Sequence, residues 1–169
     1  LEHKSRLKTK YIEMAMYLPL LLPQTGFLFG MQVLLISLKL DGLYVTLIWA
    51  HYLFVFPYVL LALSPTWRRW DVRYEMLGAS FGFGKLKRLF RIKIPLLILP
   101  ILASFTIGFS VSSALYLPTI FAGNGSFVTL TTEAVALATG GSRQAAGIAA
   151  LLQMSLPISI FLIAGLYIR

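Results

Sequence analysis

The sequence contains no cysteine, so disulfides, thiolate metal sites and a cysteine nucleophile are excluded. Acidic residues are also scarce, with six Asp and Glu against fifteen Lys and Arg. They are scattered along the chain, which leaves no carboxylate pair for general acid–base work, and neither a His-Glu-x-x-His nor a Gly-x-Ser-x-Gly stretch occurs. Gly82-Phe83-Gly84-Lys85 resembles part of a phosphate-binding loop, but that loop requires Gly, four residues, Gly-Lys and then Ser or Thr. Five residues on from Gly78 stands Phe83, and Leu86 follows Lys85, so the pattern fails twice. No catalytic residue, metal site or cofactor is expected, and the chain is not expected to be an enzyme. Internal repeats and low-complexity tracts are absent too.

What the chain has in abundance is apolar residues. At 58% hydrophobic and 12% charged, with a mean hydropathy of +0.81, it is too apolar for a soluble domain of 169 residues and reads as a membrane protein. The net charge of +9 would suit nucleic acid if it formed a basic face on a soluble fold. The basic residues instead cluster between apolar runs, so membrane topology explains them, with lipid as the surroundings and no nucleic-acid partner.

Residues 1–13 form a basic leader (Lys4, Arg6, Lys8, Lys10, then Glu13) approaching the membrane from the cytoplasm. Residues 14–169 form the membrane domain. Its first uncharged run, 14–38, is long enough to cross a bilayer once, since about 20 apolar residues suffice. Pro19 and Pro23 bend or break that run, and Gln24, Thr25 and Gln32 offer partners for the freed backbone. The stretch is therefore either a kinked, packed helix or part of a substrate path. Gly26 and Gly30 form a small-xxx-small pair, a sign of close helix packing.

A polar turn at 39–42 precedes the second run, 43–63, in which Pro57 predicts a kink and Ser64-Pro65 an end. His51 is its one ionisable group, either functional or hydrogen-bonded to a neighbouring helix. The third run, 94–117, carries Ser104, Gly108 and Ser112 four apart, a stripe that admits another helix or exposes backbone to a pore; Pro118 closes it. Residues 122–132 read as a turn-rich connection with an N-cap at Thr131 or Thr132, followed by a helix over 133–139 too short to span. Gly140, Gly141 and Ser142 break that helix. The last run, 144–168, is rich in Ala and Gly and predicts a helix packed tightly in a bundle.

One long passage is polar. Residues 71–95 hold Arg73, Lys85, Lys87, Arg88, Arg91 and Lys93, with Arg69 just before, and a segment so charged must be held at a membrane face. Residues 72–81 have no proline and suit a helix of about three turns. Gly82 and Gly84 then interrupt, and a basic tail leads into Ile94-Pro95.

An acidic residue, small residues after it, a Gly, and an Ile-x-Leu-Pro element starting ten residues beyond the Gly resemble the cytoplasmic "EAA" loop of binding-protein-dependent ABC importer permeases of the MetI-like family. Gly82 takes the Gly position, and Ile92, Ile94 and Pro95 take those of the closing element. Counting back from Gly82 places the family's acid on Met76 and its Ala pair on Leu77 and Gly78, so Glu75 stands one residue early and Ala79 follows the pair. The resemblance runs from about Pro19 to the end. It implies an all-α polytopic bundle, four membrane-spanning helices plus a cytoplasmic coupling helix, with the coupling loop at 66–93.

The loop residues it marks for ATPase coupling are Glu75, Leu77, Gly78, Ala79, Gly82, Ile92 and Pro95; Gln24, Thr25, Ser104, Gly108 and Ser112 are the candidate pathway lining. The implied partners are a separate ABC ATPase dimer, a second transmembrane half in the same chain or a homologous one, and a periplasmic substrate-binding protein. The implied location is the bacterial inner membrane. The order of segments is closest to fused two-half permeases of the thiamine and ferric-iron type, and the opening LEHKSRLKTK, without initiator Met or signal-peptide core, is expected of a piece of a longer permease. Four crossings from a cytoplasmic leader leave only Lys39 and Arg143 outside, so thirteen of fifteen basic residues fall inside. The competing class, a secondary transporter or channel without an ATPase, would call for carboxylates or paired charges within the runs, and the runs have none.

Overall fold

The computed structural model describes Met14, Tyr17, Leu21 and residues 23–167. The leader at 1–13, Pro19 and Arg169 lie outside the described residues. Every described element is helical: α1 Gln24–Ser37, α2 Tyr44–Arg68, α3 Arg73–Ser80, α4 Lys85–Arg88, a π turn Leu89–Lys93, α5 Ile94–Ala114, α6 Leu117–Gly123, α7 Leu130–Thr139 and α8 Arg143–Tyr167. In hydrocarbon every N–H and C=O must be satisfied within the chain, and a helix achieves this segment by segment.

Among the described residues, three helices are long and apolar enough to cross a membrane: Tyr44–Arg68, the continuous Lys85–Ala114 and Arg143–Leu166. At 25 residues, α2 is about 38 Å long, against a hydrocarbon thickness of about 30 Å. The first of the four expected crossings is described only from Gln24, and the 14 residues of α1 reach about 21 Å. Pro23 is non-helical between the helical Leu21 and Gln24, so the run is interrupted there as expected; Pro23 then stands at the N-cap of α1, where a missing N–H costs nothing.

Two prolines further on behave differently from expectation. Pro65 does not end α2, which runs through it to Arg68, and Pro57 lies within the same helix, fully buried among its neighbours. The helix that carries the third run starts before Ile94, because the basic tail is itself helical and joins α5 through the π turn. Pro95 lacks an N–H for the Arg91 carbonyl and its ring would crowd that oxygen, and the wider turn lies just ahead of it. Pro118 does not close α5 but sits in the first turn of α6, where proline is favoured. Thr129, two or three residues before the expected cap at Thr131 or Thr132, caps α7: its hydroxyl accepts from Thr132 N–H and its own N–H donates to Thr132 Oγ1.

Packing centres on α2, which lies against α5 and α6, while α1 packs on α6 and α8 packs on α7 and α5. Leu28, Met31 and Leu35 of α1 meet Ala50 and Phe54 of α2 and Ala122 of α6 in the buried core, with Phe27 edge-on to Phe54 at 5.9 Å. Their spacings of three and four place each set on one helix face. Gly26 and Gly30 are not the α1 contact: a Cβ on either would meet nothing within 4 Å. In α8, Ala149 is buried but Gly147 and Ala150 are exposed, so this helix offers one face to the bundle and is not enclosed by it. Asn124 Nδ2 donates to Asp41 Oδ2 at 3.0 Å and Gly42 N–H to Ala122 C=O at 3.2 Å. The 39–42 turn and the turn after α6 therefore sit on the same side, as the expected topology requires.

Candidate coupling loop and pathway residues

The loop helix α3 spans Arg73–Ser80, within one residue of expectation at each end. Asp71 accepts from Arg73 N–H at 2.9 Å ahead of it. Its C-terminus closes in a Schellman arrangement, Gly82 N–H to Ala79 C=O at 2.9 Å and Phe83 N–H to Gly78 C=O at 3.0 Å. This geometry places Gly82 at φ +72, where a Cβ is strained, and the glycine reverses the chain toward α4.

Gly78 is the one buried residue of α3. A Cβ there would stand 2.6 Å from Ile92 Cδ1 and 2.9 Å from Arg88 Cγ, so the loop helix lies directly on α4 and the π turn. Gly78 and Ile92, both marked by the resemblance, are thus in contact across the hairpin. Leu77, Ala79 and Gly82 are exposed beyond it, and Pro95 is exposed at the start of α5.

Glu75 is turned inward. Its Oε1 accepts from Lys93 Nζ at 3.3 Å, and its carbonyl accepts from Arg88 Nη1 at 3.1 Å. The same Lys93 ammonium sits 4.1 Å from the Trp67 ring centroid and 5.4 Å from that of Trp70. One cation at the foot of α5 therefore holds the end of α2 and the loop helix together. Sequence reasoning missed this cluster, because Lys93 and Trp67 lie 26 positions apart and nothing in one dimension pairs them.

One exposed flank of α3, beside the buried Gly78 and not opposite it, is apolar. Tyr74, Leu77 and Phe81 follow at helical spacing and are 47%, 56% and 75% exposed, outside any of the three spans.

The proposed pathway residues divide. Gln24 and Thr25 are exposed at the start of α1. The Ser104, Gly108, Ser112 stripe faces α2: a Cβ on Gly108 would meet Val59 Cγ2 at 2.8 Å, and buried Ser104 donates to Pro100 C=O at 2.7 Å. It also borders a cleft of about 460 Å³ between the two helices. Ser112 Oγ lies 3.0 Å from His51 Nδ1, and His51 Nε2 lies 2.9 Å from Thr119 Oγ1. The Thr119 hydroxyl donates to Leu115 C=O, which leaves its oxygen to accept from Nε2–H and assigns Nδ1 as acceptor from Ser112. His51 is thus a link between α2, α5 and α6, the packing alternative of the two the sequence allowed. Nearby, Thr131 Oγ1 and Gln153 Nε2 both donate to the Ser113 carbonyl, joining α7 and α8 to the end of α5.

Apolar helices of spanning length on either side of a basic loop define a multi-pass membrane segment. Over 151 residues, 89% of its length, the chain is 42% identical to the Inner membrane ABC transporter permease protein YnjC of Escherichia coli (strain K12). The chain spans 30% of the length of that protein. It is thus a relative of inner membrane ABC transporter permeases, as the loop motif implied, and a multi-pass inner membrane segment. No protein-family model and no solved structure matches it.

Proposed function

We propose that this chain is the part of an ABC importer permease that couples a separate ATPase to the translocation path. The observation that carries the reading is the exposed Tyr74, Leu77 and Phe81 face on a helix outside the membrane spans. An apolar surface so placed is stabilised by a protein partner, and the resemblance supplies one, the groove of an ABC ATPase subunit. ATP-driven closure of an ATPase dimer would push α3, and the contacts of Gly78 with Ile92 and of Glu75 with Lys93 would pass the movement to α5. A second transmembrane half and a periplasmic binding protein complete the importer in this reading. Gln24 and Thr25 supply polar surface for the path, and the largely apolar α2–α5 cleft, with Ser104, Gly108 and Ser112 on its wall, borders it.

Gly82→Asp tests it. The substitution puts a side chain at positive φ, at a cost of roughly 1 kcal/mol, and adds a charge beside the contact face. The permease should still insert, while co-purification of the ATPase and uptake by the whole transporter are both lost. Normal assembly together with normal uptake would end the coupling assignment.

A further inference from the structure

We propose that the cleft between the end of α2 and the α4–π turn binds the phosphodiester of an anionic phospholipid. The cleft, about 340 Å³, is lined by Lys85, Arg88 and Lys93 against a single carboxylate, that of Glu75. Glu75 engages one proton of Lys93 and one N–H of Arg88, which leaves donors on both. Lys85 is exposed and has no ion-pair partner among the described residues.

Trp70 lines the same cleft, and its indole N–H is buried without a hydrogen-bond acceptor. A buried donor left unmet is costly, and an anionic oxygen is the acceptor that surplus positive charge selects. Three features therefore point to one ligand chemistry: excess cations, an unmet buried N–H on a residue that lines the cleft, and a half-open cleft that admits a headgroup.

A free phosphate and a lipid phosphate share that chemistry, and the wall decides between them. Leu86, Leu89 and Ile92 form the rest of the lining, a surface that suits an amphiphile and offers nothing to inorganic phosphate. The depth also fits, because Lys93 directly precedes the apolar helix starting at Ile94 and so lies at headgroup level.

The test uses the full permease purified in detergent, with binding of phosphatidylglycerol counted by native mass spectrometry. Phosphatidylglycerol should bind, diacylglycerol should not, and millimolar inorganic phosphate should fail to displace the lipid. Lys85→Gln should raise the apparent Kd about fivefold and Trp70→Phe, which keeps a ring and removes the N–H, about tenfold. Lys87→Gln makes the same charge change outside the cleft, on a lysine that sits over Phe83, and should leave binding within about twofold.

Displacement by inorganic phosphate would overturn the lipid assignment, as would equal weakening by Lys87→Gln and Lys85→Gln, which would mark diffuse surface charge. Unchanged binding in Lys85→Gln would overturn it as well, and this exposed position keeps the test decisive if Trp70→Phe proves unstable.

Discussion

The α2–α5 contact makes a quantitative test at Gly108. A Cβ added there stands 2.8 Å from Val59 Cγ2 and 3.4 Å from Val55 Cγ1. Carbon atoms pack best at about 3.5–4.0 Å, so the nearer contact is short by about 0.7 Å even for alanine. Val59 is β-branched within a helix and holds one strongly preferred rotamer, so it cannot swing aside cheaply and the helices must part. For Gly108→Ala, a gain in helix propensity of about 1 kcal/mol offsets much of an overpacking cost of about 1–3 kcal/mol. Gly108→Val adds two more methyl groups and gains less propensity, and should lower stability by about 2–3 kcal/mol. Gly30→Val is the control, since a Cβ there meets nothing within 4 Å and the change should cost within about 0.5 kcal/mol. Unfolding of the purified permease in a denaturing-detergent titration reads both. Equal shifts for the two variants would refute the α2–α5 packing.

Reporter fusions after Arg91 and at Gly125 should report opposite sides, cytoplasmic and external, because the 39–42 turn and the turn after α6 share hydrogen bonds on one side while the basic loop is the strongest positive cluster; the same side for both would end the crossing scheme. His51→Leu should cost about 1 kcal/mol, two interhelical hydrogen bonds at about 0.6 kcal/mol each, and a cycle with Ser112→Ala should be non-additive; strict additivity would disconnect the two residues. Glu75→Gln should be milder in uptake than Gly82→Asp, since the carboxylate is 42% exposed and its pair with Lys93 is worth no more than about 1 kcal/mol. Loss of ATPase binding in Glu75→Gln at unchanged stability would instead place that carboxylate on the partner surface.

Much of this molecule was legible because its signals are local. A run of about twenty apolar residues reads as a span without reference to any other part of the chain, and a glycine ending a short helix reads as a turn; Gly82 at φ +72 bears this out. The prolines misled for the converse reason. Whether Pro65 ends a helix or rides within it depends on what surrounds it, and whether Pro118 stops one helix or starts another depends on where Leu115 and Tyr116 leave the axis. The small-residue pairs divide on the same principle: Gly108 meets valines, while Gly26 and Gly30 meet nothing among the described residues.

Glu75 is the most instructive case. In sequence it stands one residue ahead of the position the ABC permease loop implies for an acid, and reads as a weakened contact to a partner. On α3 that one-residue displacement is a rotation of about 100°, and the helix is already oriented by Gly78, whose missing side chain must face Ile92 and Arg88. With that face fixed, a carboxylate three positions earlier lies beside Gly78 on the inner surface, where Lys93 meets it at 3.3 Å. Tyr74 and Leu77 stay exposed along one flank, while Met76, where the motif would have its acid, lies nearly opposite Gly78, so the face turned away from α4 carries no carboxylate. Under the proposed coupling, the contact of α3 with an ATPase rests on apolar burial without a carboxylate, and its salt dependence should be correspondingly slight, whereas the one acid of the helix is held within the chain, joining loop helix, α2 and α5 through one ammonium group.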